Sequence, residues 1–150
     1  MDFFVVDSKA HFFPHFYMLK KGIGYFTLVY LVHAKASKVI ACEWNPESVR
    51  ALKNNLLLNK IDQDRCEVRE GDNRLVCPTN CADRVNLGLI PSSEPSWPTA
   101  CRALRVNSGG MLHIHGNVDI GTNGKEQQRQ AWNNWAYYAR AEIERLLIER

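Results

Sequence analysis

The chain has 150 residues, 45% of them hydrophobic and 23% charged, with a formal net charge of +3 at pH 7. That length fits one domain with a real core, and so mild a charge excludes a protein whose composition alone demands nucleic acid. Five cysteines, an odd number without framework spacing, exclude a disulfide scaffold and favour a reducing interior, while the longest apolar run, 23–36, falls short of the roughly 20 residues of a membrane span.

Short apolar runs alternate with helical patterns, which points to a parallel sheet with crossover helices. Residues 3–6 read as the first strand, ending at Asp7. In Lys21-Gly22-Ile23-Gly24-Tyr25-Phe26-Thr27 two glycines stand at a helix start, where they let the chain turn tightly and approach a ligand closely. Residues 24–34 then read as a helix of middling formers that depends on tertiary packing. The second strand, 39–43, ends at Glu43, placed after Gly24 at the spacing of an acid that takes ribose hydroxyls. Thr27 stands where the third glycine of a dinucleotide fingerprint belongs. A nicotinamide or flavin dinucleotide therefore gives way to another adenosine-bearing cofactor, such as S-adenosylmethionine.

Asn45 and Pro46 supply an N-cap and a first-turn proline, and Val49, Leu52 and Leu56 repeat on one helical face through Asn59. Residues 66–70 read as strand three, leading into Gly71-Asp72-Asn73. Residues 83–87 read as strand four, leading into Gly88-Leu89-Ile90-Pro91-Ser92-Ser93. In an open parallel sheet ligands collect outside the carboxyl ends of the strands, so Asp7, Glu43, Asp72 and Asn86 are expected to converge. A helix over 95–104, a strand over 110–115 and a last helix over 125–148 complete the pattern. Trp132, Trp135, Ala139, Ile143 and Leu146 form an apolar stripe on that last helix, which reads as core. His113 and His115 share a strand face without a third ligand, and Cys77 and Cys81 lack a second pair, so no metal site is expected.

Taken in order, residues 22–27, 41–46, 71–73, 83–93 and 109–118 resemble the wybutosine-synthesising aminocarboxypropyltransferase family, whose relatives include the tRNA guanine-37 N1-methyltransferases. The most specific element is Asp83-Arg84-Val85-Asn86-Leu87-Gly88-Leu89-Ile90-Pro91-Ser92-Ser93, where the methyltransferase relatives carry a shorter turn of Asn-Leu-Pro type. The resemblance implies a Rossmann-like class I methyltransferase fold: α/β, a mainly parallel sheet flanked by helices, with strand order 3-2-1-4-5. It implies S-adenosyl-L-methionine as donor of an aminocarboxypropyl group, phenylalanine tRNA as partner, the tricyclic guanosine at position 37 as acceptor, and the cytoplasm as compartment. By the same resemblance Glu43 holds the ribose, Asp72 and Asn73 address the adenine, and Gly22 and Gly24 let the backbone approach the methionine end. Asp7 shares that cofactor site, while Asn86 and Pro91 face the reacting base. No catalytic base is implied, because a sulfonium is already a good leaving group and rate comes mainly from alignment.

Two departures from the family pattern stand out. Family members run from a strand ending in Val-Val-Asp through Leu-Phe-Ala into the glycine turn, whereas here residues 8–21 separate Val5-Val6-Asp7 from Gly22. That segment reads as an insertion. The family's amino-terminal region and its closing antiparallel strands have no counterpart in the sequence, so the expectation is a single, incomplete domain over 1–150 that lacks those final strands. Two other readings remain: the related guanine N1-methyltransferase, disfavoured by residues 88–93, and a shortened product without catalytic activity.

Overall fold

The computed structural model describes residues 3–7, 15–19, 23–88, 91–119 and 124–150, the first two segments as backbone only. In chain order the elements begin with strands β1 (Phe3–Asp7) and β2 (His15–Leu19). Helix α1 (Tyr25–Leu28) runs on as a π-type helix (Val29–His33) into strand β3 (Lys38–Glu43). Helix α2 (Pro46–Leu58), strand β4 (Cys66–Glu70) and the one-turn helix α3 (Asn73–Val76) follow, then strand β5 (Arg84–Leu87), helix α4 (Trp97–Ala103), strand β6 (Met111–His115) and helix α5 (Lys125–Ile148).

The strands form one sheet in the order β1-β6-β5-β2-β3-β4. Strands β2 to β6 are parallel, and β1 alone runs antiparallel, against β6. The five parallel strands reproduce the expected order 3-2-1-4-5 of a Rossmann-like class I fold, but the strand at its centre is not the one the sequence pointed to. His15–Leu19, inside the segment read as an insertion, pairs with β3 on one side and β5 on the other. Phe3–Asp7 lies instead at the far edge, so the sheet has one antiparallel member where none was expected, drawn from residues ahead of the central strand.

Strand alternation divides the core into two layers. On one face Val39 and Ala41 of β3 pack with Leu31 of the π-type helix and with Leu52 and Leu56 of α2. On the other, Ile40 and Cys42 join Val85, Leu87, Leu112 and Ile114 beneath Trp97 of α4 and Ala139 and Ile143 of α5. Helix α2 starts as its sequence dictates: Asn45 Oδ1 accepts from the Glu47 amide at 3.0 Å, and Pro46 occupies the first turn. The last helix has the expected limits, with Ala139 and Ile143 on its buried stripe. Between Glu43 and Glu70 the rim is stitched by the Gly71 amide, which donates to the Glu43 carbonyl at 2.9 Å.

Candidate functional site

The chain leaves β2 toward β3 and β4 on one side and returns through β5 and β6 on the other, so the order reverses between β2 and β5. A crevice outside the carboxyl ends of such neighbouring strands is where doubly wound sheets bind ligands. The glycine turn follows β2 at this point, and Asn86-Leu87-Gly88 closes β5. Gly24 caps α1 with φ 108°, a left-handed conformation natural to glycine, and its carbonyl accepts the Leu28 amide at 2.9 Å. Thr27, which replaces the third fingerprint glycine, is fully buried against the sheet. Gly22 lies outside the described residues.

Glu43 ends β3 with 2% of its surface exposed, its Oε1 accepting from the Asn45 amide at 2.7 Å. Alternation puts Glu43 on the same face as Val39 and Ala41, toward the glycine turn, and puts Trp44, 58% exposed, on the opposite side of the strand end. Trp44 lines a cleft of about 430 Å³ together with Cys42, Gly71, Asp72, Asn73 and Arg74 from the β3 and β4 ends. Pro95 and Ser96, in the turn of 3-10 helix ahead of α4, close its other wall.

Asp72 and Asn73, both nominated from sequence, have different situations in this cleft. Asp72 is the N-cap of α3: its Oδ1 accepts from the Arg74 amide at 2.9 Å, and the Arg74 guanidinium grips both carboxylate oxygens. That pairing holds the Asp72 carboxyl below its ordinary value. Asn73 Oδ1, by contrast, is a buried acceptor with no hydrogen-bond partner among the described residues.

Asn86 is 1% exposed, with its Nδ2 donating to the Tyr30 hydroxyl at 2.5 Å. Burial raises the Tyr30 pKa against the opposing effect of that hydrogen bond. Asn86 is the register partner of His113 on β6, whose imidazole is held below its ordinary pKa first by burial and then by the Arg84 and His115 charges. Phe26 of α1 meets His115 edge-on, ring centroids 5.9 Å apart. Pro91 is exposed, and its carbonyl accepts from Asn117 Nδ2 at 3.0 Å, which holds the turn after β5 against the one after β6.

Of the four residues expected to converge, Glu43, Asp72 and Asn86 stand at or just beyond the carboxyl ends of the parallel strands, as do Gly24 and Asn73. Asp7 does not. Its register partner is Met111, at the amino end of β6, because β1 runs antiparallel. The carboxyl rim lies four residues away along β6, roughly 13 Å at the rise of a strand. Trp44 and Tyr30 are the functional candidates that sequence reasoning missed. The alternation after Glu43 was a legible signal for Trp44; Tyr30 reaches Asn86 through a π-type turn that no residue pattern announced.

Over residues 16–131 the chain matches the TRM5/TYW2 methyltransferase domain. It is 62% identical over 101 residues to the tRNA wybutosine-synthesizing protein 2 homolog of Bos taurus, a stretch that covers 67% of this chain and 23% of that protein. It superposes on P. horikoshii TYW2 in complex with MeSAdo with a TM-score of 0.61 at 28% identity, over 81% of this chain and 46% of the other. With M. jannaschii TYW2 in complex with AdoMet the TM-score is 0.62 at 25% identity, over 81% and 56%. The chain thus spans about a quarter of the length of its bovine relative. The matched domain opens within β2, which leaves β1 outside it.

Proposed function

The chain belongs to the TRM5/TYW2 methyltransferase domain family, and from that premise we propose that it binds S-adenosyl-L-methionine and transfers the 3-amino-3-carboxypropyl group. The acceptor is the tricyclic modified guanosine at position 37 of phenylalanine tRNA, in cytoplasmic wybutosine biosynthesis, in line with the name of the bovine relative. Among the described residues no helix is long and apolar enough to cross a membrane.

The observation that carries the cofactor reading is the unpartnered Asn73 Oδ1 in the wall of the Trp44 cleft. A buried acceptor left unpaired costs about 1–3 kcal/mol, and an exocyclic amino group such as that of adenine would satisfy it while Trp44 covers the ring. Asp72 contributes by fixing the start of α3 rather than by offering a vacant carboxylate, since Arg74 already occupies it. On the other side of the β3 end, Glu43 would take ribose hydroxyls, and the left-handed turn at Gly24 supports an approach of the methionine end to the backbone there.

When bound, S-adenosylmethionine supplies a carbon made electrophilic by its sulfonium, with methylthioadenosine as the leaving group. The chain's own task is alignment. Asn86, locked by Tyr30, and Pro91, tied to Asn117, would position the base at the β5 end. No residue is assigned as a catalytic base.

The test is incubation of the full chain with S-adenosylmethionine and phenylalanine tRNA bearing the tricyclic base, followed by nucleoside mass spectrometry. Gain of the aminocarboxypropyl mass is expected. A methyl gained at position 37 by a parallel tRNA that carries unmodified guanosine there would assign the chain to guanine methylation instead, and no gain on either tRNA would leave the transfer without support.

A further inference from the structure

Helix α5 runs down the sheet from a start beyond its carboxyl rim. Trp135 packs so closely on Gly116, just after β6, that a Cβ added there would stand 2.3 Å from its ring. Tyr138 meets the start of α4, its hydroxyl donating to Glu94 at 3.2 Å and its ring centroid 6.0 Å from that of Trp97. At the far end Arg150 donates to the Cys101 carbonyl at 2.9 Å, near the close of α4. Residue 135 is thus level with the strand ends, and residues 125–134, about 15 Å of helix, stand past them. They lie beside the turn at Pro91, which is tied to Asn117, the residue after Gly116.

The composition of this part of α5 differs from that of its lower end. Between Glu126 and Glu142 the helix carries no carboxylate; its residues there are mainly amides, aromatics and two arginines. Arg129, Asn133, Tyr137 and Arg140 repeat at helical spacing along one exposed stripe. Tyr137 has 73% of its surface open. With Asn133, Ala136 and Arg140 it lines an open cleft of about 240 Å³. The two guanidiniums stand roughly 16 Å apart along the helix axis, with the tyrosine ring between them. Each pairs within the helix, Arg129 with Glu126 and Arg140 with Glu144, both at 2.8 Å. Ion pairs so exposed contribute little, and a phosphate that takes a guanidinium bidentately displaces them.

We propose that this face of α5 binds single-stranded RNA, with an unpaired base on the Tyr137 ring, the Asn133 amide at that base's edge, and the flanking phosphates on Arg129 and Arg140. The inference rests on the reading of the chain as acting on tRNA and adds where the loop beside the reacting base lies. Stacking of an unpaired base covers an exposed aromatic ring whatever the base, and the amide supplies both a donor and an acceptor to its edge. A duplex keeps its bases stacked inside and would offer this stripe only phosphate and sugar. An acidic peptide would meet the two guanidiniums but leave the tyrosine face and the amide without a planar partner.

The experiment is titration of a fluorescently labelled anticodon stem-loop RNA with the full chain, followed by anisotropy at several salt concentrations. Expected is saturable binding that weakens as salt rises. Tyr137→Ala should weaken it roughly five- to hundredfold, Tyr137→Phe should keep it, and Arg129→Ala and Arg140→Ala should each lower the slope of log affinity on log salt by about 0.7. All four variants should keep the parent's urea midpoint and its heat with S-adenosylmethionine, because none of these residues lines the Trp44 cleft. Absence of binding by the parent at low salt, equal binding by Tyr137→Ala, or equal binding of a loopless duplex would overturn the proposal. Displacement of the loop by polyglutamate at matched charge would overturn it too and assign the face to an acidic protein. Binding that depends on Tyr137 without aminocarboxypropyl transfer would set aside the proposed function and keep this inference, whereas transfer at limiting RNA that Tyr137→Ala leaves untouched would do the reverse.

Discussion

Glu43 closes β3 almost wholly buried, with one carboxylate oxygen engaged by the Asn45 amide. Charged hydrogen bonds to ribose hydroxyls are worth about 1–3 kcal/mol, so Glu43→Ala is expected to weaken S-adenosylmethionine by that amount in calorimetric titration; unchanged affinity would remove the ribose assignment. Tyr30 acts on the other side of the crevice. Tyr30→Phe deletes the acceptor for buried Asn86 Nδ2 and is expected to cost about 1–3 kcal/mol in urea unfolding, whereas an unshifted midpoint would mean that Asn86 is held by other contacts. Asn73 was named by the family resemblance, whereas Glu43 and Asn86 could be placed at the rim from sequence because each lies at the carboxyl end of a strand in a pattern where strand ends converge. Asp7 misled for the same reason: it closes a strand too, but one whose direction is set by distant β6. Trp44 was visible beside Glu43 yet needed the alternation worked one residue further, and Tyr30 needed the wide turn of its helix.

At the scale of elements, Gly24 and Asn45 start the two helices that cover one face of the sheet. Gly24→Ala would force a side chain into φ 108°, with its Cβ 2.8 Å from Cδ1 of the buried Leu52. The left-handed backbone alone costs about 1–2 kcal/mol, which should appear as a lower urea midpoint; full retention of stability would mean that the turn rearranges freely. Asn45→Ala removes the α2 cap and should cost about 1 kcal/mol, read in the same assay, and no loss would imply that Pro46 and the packed face suffice. Helices α2 and α5 were readable because caps and apolar periodicity are local. The strands at the chain's start were not. Phe3-Phe4-Val5-Val6-Asp7 carries stronger strand composition and the acid of the family pattern, while His15-Phe16-Tyr17-Met18-Leu19 looks mixed. What places the second in the centre is pairing with β3 and β5, a nonlocal outcome that neither segment encodes by itself.

For the whole molecule, the five-strand parallel order brings residues far apart in sequence to one rim, and the two-layer core holds them there. The surface makes its own contribution through arginine–carboxylate pairs. Arg69, Arg74 and Arg145 hold Glu67, Asp72 and Glu142 below their ordinary values of 4.5, 3.8 and 4.5. A carboxylate with a depressed folded pKa adds stability that is complete above its unfolded value and disappears as pH falls through the folded one. The urea midpoint is therefore expected to decline below about pH 5, and Glu67→Gln should flatten part of that decline; a midpoint that rises on acidification would contradict the pairing. The most direct test of the account is isothermal titration of the full chain with S-adenosylmethionine. Saturable heat from a single site is the predicted result, and no saturable heat at high micromolar ligand would mean that the rim of Glu43, Trp44 and Asn73 is not a cofactor site.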